Sequence, residues 1–122
     1  VHVLLVDDYA DALEVWELFL GAAGFTVSTA SNGAAGLEQA QRTRPDVIVL
    51  DLQMPGLTGG EVAQALRADA GTRHIPLIAV TGHARTDPAA ARAAGFDSVV
   101  VKPCDPDDLI AEIRRLAGAA SA

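Results

Sequence analysis

The sequence predicts an α/β domain built as a doubly wound parallel sheet, with helices packed on both faces. Short unbroken apolar runs recur along it: Val3-Leu4-Leu5-Val6, Val47-Ile48-Val49-Leu50, Leu77-Ile78-Ala79-Val80 and Val99-Val100-Val101. Runs without polar alternation suit strands covered on both faces, which is the parallel-sheet pattern. Segments with helical spacing lie between them, and the alternation of five such β-α units implies right-handed crossovers.

Each element has its own reason. After the first strand, Ala10 to Ala23 places Leu13, Trp16 and Leu20 at helical spacing, with Asp11, Glu14 and Glu17 elsewhere, and Gly24 closes the helix. Phe25 to Ala30 alternates, with Phe25, Val27 and Thr29 on one side and Thr26 and Ser28 on the other, as a half-exposed edge strand does. Ala34 to Arg42 is a helix carrying Leu37 and Ala40, and Thr58 to Ala68 another carrying Val62, Ala65 and Leu66. Asp87-Pro88 starts an alanine-rich helix that Gly95 ends. Asp105-Pro106 starts the last helix, with Leu109, Ile110, Ile113 and Leu116, and residues 118–122 read as a loose tail.

The 122 residues make one domain, residues 1–122, large enough to bury a core without disulfide or zinc. The single cysteine, Cys104, excludes an internal disulfide and fits a reducing, cytoplasmic setting. A net charge of −7 argues against nucleic-acid binding and against adhesion to anionic membrane. Leu18 to Leu37 carries no charge, yet nine of its twenty residues are Gly, Ser, Thr or Asn, so it reads poorly as a membrane span. No signal peptide is visible. The chain lacks an initiator Met, which a processed terminus or a domain cut from a longer protein would both explain, and the second is the favoured expectation. Eight of its nine basic residues are arginine, which leaves Lys102 as the one lysine.

Function is sought at the C-terminal strand ends, where doubly wound sheets bind ligands. The ends read Val6-Asp7-Asp8, Leu50-Asp51, Val80-Thr81-Gly82 and Val101-Lys102-Pro103. Taken singly, each has an ordinary role. Capping of the next helix is the better explanation for one of Asp7 and Asp8, Thr81 suits a turn, and Lys102 suits a solvated strand end. Capping does not account for an acid pair facing a third acid and the one lysine. Three carboxylates that close repel unless a cation intervenes. Oxygen donors without His or Cys point to Mg²⁺. A metal, a lysine and a hydroxyl around a carboxylate nucleophile fit phosphoryl transfer through an acyl phosphate.

Together, Asp7-Asp8, the run Asp51-Leu52-Gln53-Met54-Pro55-Gly56-Leu57-Thr58-Gly59, Thr81-Gly82 and Lys102-Pro103 resemble the receiver domain of two-component response regulators, over essentially the whole chain and in order. The resemblance implies a flavodoxin-like (βα)5 sandwich with strand order 2-1-3-4-5. It implies Asp51 as phosphoacceptor. It makes Asp8, Asp51 and the backbone carbonyl of Gln53 ligands of Mg²⁺, with Asp7 acting mainly through a bound water. Lys102 would pair with Asp51 and then with the phosphoryl group. Thr81 would hydrogen-bond that group, with backbone N–H groups near Gln53 and Gly82. It further implies a cis Lys102–Pro103 bond, and as donor a phosphohistidine on a histidine kinase, for instance a hybrid one, or on a phosphotransfer protein. The expected product is a phosphorylated signalling domain that catalyses its own phosphorylation and dephosphorylation, not an enzyme with a separate substrate.

Val99 departs from the family pattern, which often has Tyr or Phe three residues before the lysine. The phosphorylation chemistry is untouched, but an aromatic switch has no ring here, and a monomer is expected. Cys104 reads as a small buried hydrophobe. Gln53 and His83, each two residues past a site residue, flank the phosphoryl group by resemblance. Two rivals stay open. An aspartyl-phosphate phosphohydrolase would want a second acid where Gln53 stands, and a cap. A phosphorylation-independent pseudo-receiver would lack an acid or the lysine, and none is missing. Flavin binding is more distant, because the loop after the first strand is acidic.

Overall fold

A computed structural model of the protein describes residues 1–52, 54, 56–82, 88–101 and 105–121. Strands and helices alternate: β1 (His2–Val6), α1 (Ala10–Ala22), β2 (Thr26–Ala30), α2 (Gly33–Thr43), β3 (Val47–Asp51), α3 (Gly59–Ala68), β4 (Leu77–Thr81), α4 (Pro88–Ala93), β5 (Ser98–Val101) and α5 (Pro106–Ser121). The strands form one parallel sheet in the order β2-β1-β3-β4-β5.

Side chains alternate across the pleat, so each central strand feeds two cores. Leu4, Val6, Ile48, Leu50, Leu77 and Ala79 pack under α2, α3 and α4 with Ala40, Val62, Leu66 and Ala91. Val3, Leu5, Val47, Val49, Ile78 and Val80 pack under α1 and α5 with Leu13, Leu20, Leu109 and Ile113. All residues of β3 and β4 are buried, which explains their unbroken apolar runs. Each fully buried Leu, Ile or Val stabilises the fold by about 1.5–3 kcal/mol.

Local signals set the helix ends. Asn32 caps α2, its Oδ1 accepting the Ala35 N–H at 2.8 Å. Thr58 and Glu61 form a capping box on α3, satisfying two N-terminal donors reciprocally. Gly24, at φ +98°, turns the chain after α1 in a conformation that favours glycine.

Three expectations change. The apolar run of the last strand suggested burial on both faces, but β5 lies at the sheet edge and is half-buried or exposed. Residues 118–121 continue α5 instead of forming a loose tail. Alanine has the highest helix propensity and carries the helix past Gly118. Neither acid after β1 caps α1, because the N-cap is Tyr9, which makes no side-chain cap bond.

Candidate functional site

The site grows out of strand register. Val6 of β1 stands opposite Leu50 of β3, so Asp7 comes level with Asp51. Asp51 stands opposite Val80 of β4, so Thr81 lies one residue beyond it. Neighbouring strands are about 4.8 Å apart, so these three ends form a row along the C-terminal edge of the sheet. Asp7 and Asp51 share the pleat parity of Leu5 and Val49 and continue the α1/α5 face. Thr81 has the parity of Leu77 and Ala79 and belongs to the opposite face.

Burial marks the same residues. Asp7 is 7% exposed, Asp51 8% and Thr81 1%, and Thr72 is the one other buried polar residue among the described residues. Thr72 has a structural reason: its hydroxyl donates to the Leu66 carbonyl at 2.8 Å at the end of α3. The other three gather at one strand edge. Charged groups tolerate such burial only with compensating partners or a metal.

Asp7 is anchored from two sides. Its N–H donates to the Ala30 carbonyl at 3.1 Å, and its Oδ1 accepts the Tyr9 N–H at 2.9 Å. Asp8 is exposed, and its carboxylate joins the same cluster. The Leu52 N–H donates to the Val80 carbonyl at 3.0 Å, holding the backbone just past Asp51. Carboxylate oxygens of Asp7, Asp8 and Asp51 all lie within 4.8 Å of one another. Beneath them is a pocket of about 20 Å³ whose walls include Leu13, Trp16, Asp7 and Asp51.

This donor set fits a hard divalent cation. It is all oxygen and triply anionic, as Mg²⁺ prefers.

Asp7, Asp8 and Asp51 therefore come together, Thr81 ends the neighbouring strand, and Gly82 follows it as an exposed bend. Gln53, Lys102, the Lys102–Pro103 bond, Cys104 and His83 lie outside the described residues. Met54 is loop packing, 5% exposed within the α2/α3/α4 core. Trp16 packs against the α1/α5 core and reaches the floor of the acidic cleft.

One element of this end was missed in the sequence. Tyr9, Val15, Leu18 and Phe19 are exposed at 63%, 49%, 75% and 46%. They give α1 a second apolar face, turned outward. A groove of about 350 Å³ runs along it between Tyr9, Val15, Phe19 and Pro106.

The sequence profile described as "Response regulator receiver domain" matches residues 3–114. The chain belongs to this family. The receiver is 42% identical over 116 residues to the transcriptional regulatory protein PrrA of Mycobacterium leprae, covering 94% of this chain and 49% of that protein. It thus spans about half the length of the mycobacterial relatives it matches. Among solved structures, the chemotaxis protein CheY4 of Vibrio cholerae superposes with a TM-score of 0.87 at 33% identity, over 94% of this chain and 97% of that one. The receiver domain of the sensor histidine kinase PA1611 of Pseudomonas aeruginosa superposes with a TM-score of 0.88 at 29% identity, over 96% and 97% of the two chains. That structure is described with a magnesium ion coordinated in its active site cleft. The receiver is a signalling domain of two-component systems, and its strand order is the CheY-like one. No described helix is long and apolar enough to cross a membrane.

Proposed function

We propose that this receiver accepts a phosphoryl group from a phosphohistidine donor onto Asp51 in a Mg²⁺-dependent reaction. The observation that carries the reading is the buried Asp51 at a central strand end, with Asp7 and Asp8 oxygens within 4.8 Å and Thr81 on the next strand. An Asp51 carboxylate oxygen attacks phosphorus. The P–O bond forms as the P–N bond to the donor imidazole breaks, and the imidazole nitrogen leaves with the bonding pair. Water later attacks the same phosphorus and returns the carboxylate, so the domain turns over its own phosphoryl group without a separate substrate.

Asp8, Asp51 and the Gln53 carbonyl would hold Mg²⁺, with Asp7 reaching it through water. When bound, the ion supplies positive charge against the carboxylates and the phosphoryl oxygens. The Thr81 hydroxyl donates to a phosphoryl oxygen, alongside backbone N–H groups near Gln53 and Gly82, and Lys102 pairs with Asp51 and then with the phosphoryl group. That all three acids and the lysine are kept favours this reading over a pseudo-receiver that has lost its chemistry. The donor, a histidine kinase or phosphotransfer protein, docks on the outward apolar face of α1, whose groove begins at Tyr9 beside the cleft. The working protein is cytoplasmic and, as this domain, monomeric.

Incubation with acetyl phosphate and Mg²⁺ should add one phosphoryl group, read by intact-mass spectrometry. Asp51→Asn is nearly isosteric and should abolish the addition while leaving the circular dichroism spectrum unchanged. Undiminished labelling of that variant would remove Asp51 from the role.

A further inference from the structure

We propose that the cleft at the N-terminal edge of β4 and β5 is a second site, which binds a compact polyanion of the di- or triphosphate class. It lies at the opposite end of the strands from Asp51 and stands independently of the phosphoacceptor reading. Its volume, about 650 Å³, is within the range of small-molecule sites. Arg67, Arg73, His74, Arg92 and Arg115 line it, four of the eight arginines of a chain whose net charge is −7. Asp97 and Glu112 balance two of these arginines, which leaves Arg73 and Arg92 as neighbouring cations that an anion would offset.

The one acid on its walls is already engaged. Asp97 Oδ2 accepts from Arg67 Nη2 at 2.9 Å and from the Leu77 N–H at 2.8 Å. Arg67 is a clasp and not a ligand-binding group. Its Nε donates to the Gly95 carbonyl at 3.0 Å, Nη1 to the Arg73 and Ile75 carbonyls at 2.6 and 2.7 Å, and Nη2 to Gly95 at 2.8 Å as well as to Asp97. All five donors are used, which fixes the α3–β4 loop and the α4–β5 turn around the cleft.

The binding groups are therefore the other cations. Arg115 lines the cleft and is held by Glu112 through Nε and Nη2, at 3.2 and 2.8 Å, and its Nη1 makes no hydrogen bond among the described residues. The side chains of Arg73 and Arg92 make no hydrogen bond or ion pair among the described residues, and they come from two further elements. Guanidinium forks match phosphate oxygens in pairs. Pro76, Phe96 and Leu116 add an apolar floor that suits a flat group attached to the phosphates. A pocket of this size walled from three elements favours a compact anion over an extended acidic segment.

The test is a ¹H–¹⁵N NMR titration of the protein with ADP and, separately, with inorganic pyrophosphate, in EDTA to keep divalent ions from the acidic cleft. The expected result is saturable shifts confined to Arg73, His74, Gly95, Phe96 and Asp97, with a Kd below about 1 mM. Arg73→Gln with Arg92→Gln should weaken binding at least about tenfold through loss of charge-assisted contacts, with Tm and acetyl phosphate labelling unchanged. Tighter binding of ADP than of pyrophosphate supports the site and assigns the floor to the base, and equal binding supports it through the phosphates alone. Shifts that never saturate, an unchanged Kd in the double variant, or preference for a hexaglutamate peptide over both probes would each overturn the proposal.

Discussion

Two adjacent glycines at the start of α3 should respond to alanine in opposite directions. A Cβ on Gly59 would stand 2.5 Å from the Asp51 carbonyl oxygen, 3.0 Å from Leu52 Cα and 3.2 Å from the Asp51 carbonyl carbon. All three are backbone atoms, so no flexible side chain can rotate away and α3 or the end of β3 must move. Overpacking of this kind costs about 1–3 kcal/mol. For a domain of this size each kcal/mol lowers Tm by about 3–5 °C. A Cβ on Gly60 meets only the Thr58 Oγ1, at 4.0 Å. Gly60→Ala should therefore stabilise the helix by up to about 1 kcal/mol. Urea denaturation followed by circular dichroism reads both effects. The displaced atoms belong to the proposed nucleophile's own residue, and a misplacement approaching 1 Å costs up to about a hundredfold in rate. Gly59→Ala should thus also slow labelling by acetyl phosphate, while Gly60→Ala should not. Equal stability in the two variants, or full labelling in Gly59→Ala, would refute the close approach.

Millimolar Mg²⁺ should raise Tm, since a ligand at ten times its Kd stabilises the native state by about 1.4 kcal/mol. Trp16, the sole tryptophan, shares a pocket with Asp7 and Asp51, so its fluorescence should follow the same titration and weaken in response for Asp8→Asn. A flat response in a protein that labels normally would contradict the cation site. Leu18→Ser, at an exposed position, should change stability by no more than about 0.5 kcal/mol. It should slow transfer from a phosphohistidine protein but not from acetyl phosphate, and equal slowing of both would dismiss α1 as the docking face. With Val99 in place of a switch aromatic, beryllofluoride should shift amides mainly in the loops bearing Asp51 and Thr81. Equally large shifts across Val99 and α5, with a dimer in sedimentation, would overturn that. Glu112 is held below its ordinary value of 4.5 first by the Arg115 hydrogen bond and then by that of Ser98. A lowered carboxyl contributes stability above its unfolded pKa and loses it as pH falls through the folded one. Glu112→Gln should thus be modestly less stable near neutrality and converge on the parent in acid, whereas a gap independent of pH would reject the linkage.

The polar strand ends were legible because a buried parallel strand has no reason of its own to end in acid, and Asp7, Asp51 and Thr81 each interrupt an apolar run. Their mutual approach follows from strand order, which periodicity alone does not determine; the order came from resemblance. The outward apolar face of α1 was hidden by its composition. Apolar residues at 13, 15, 16, 18, 19 and 20 cover most of the helix circumference, so no pattern separates the core face of Leu13 and Leu20 from the outward face of Val15 and Leu18. The half-covered state of β5 was hidden for a related reason, since an apolar run does not say whether a neighbour lies on both edges. Arg67 looked like one instance of an arginine-rich composition. Its partners Gly95 and Asp97 are 28 and 30 residues away, and only the folded chain shows that a lysine, with three donors, could not replace it.

The distribution of charge along the strand axis gives the domain an electrical polarity. Among the described residues, the edge bearing Asp51 and the helix turns that follow it carry Asp7, Asp8, Asp11, Asp105, Asp107 and Asp108 and no cation, while the far edge carries the arginine-lined cleft. The described charges thus set a negative edge at the proposed phosphoacceptor against an arginine-lined cleft at the far end. In the field of a donor with a basic surface the domain experiences a torque that turns Asp51 forward before the surfaces touch, whereas an acidic donor turns it away. Encounter with a protein donor is then orientation-selected and weakens as salt shortens the reach of the field. A small phosphodonor, which diffuses in from any side, gains nothing from that alignment.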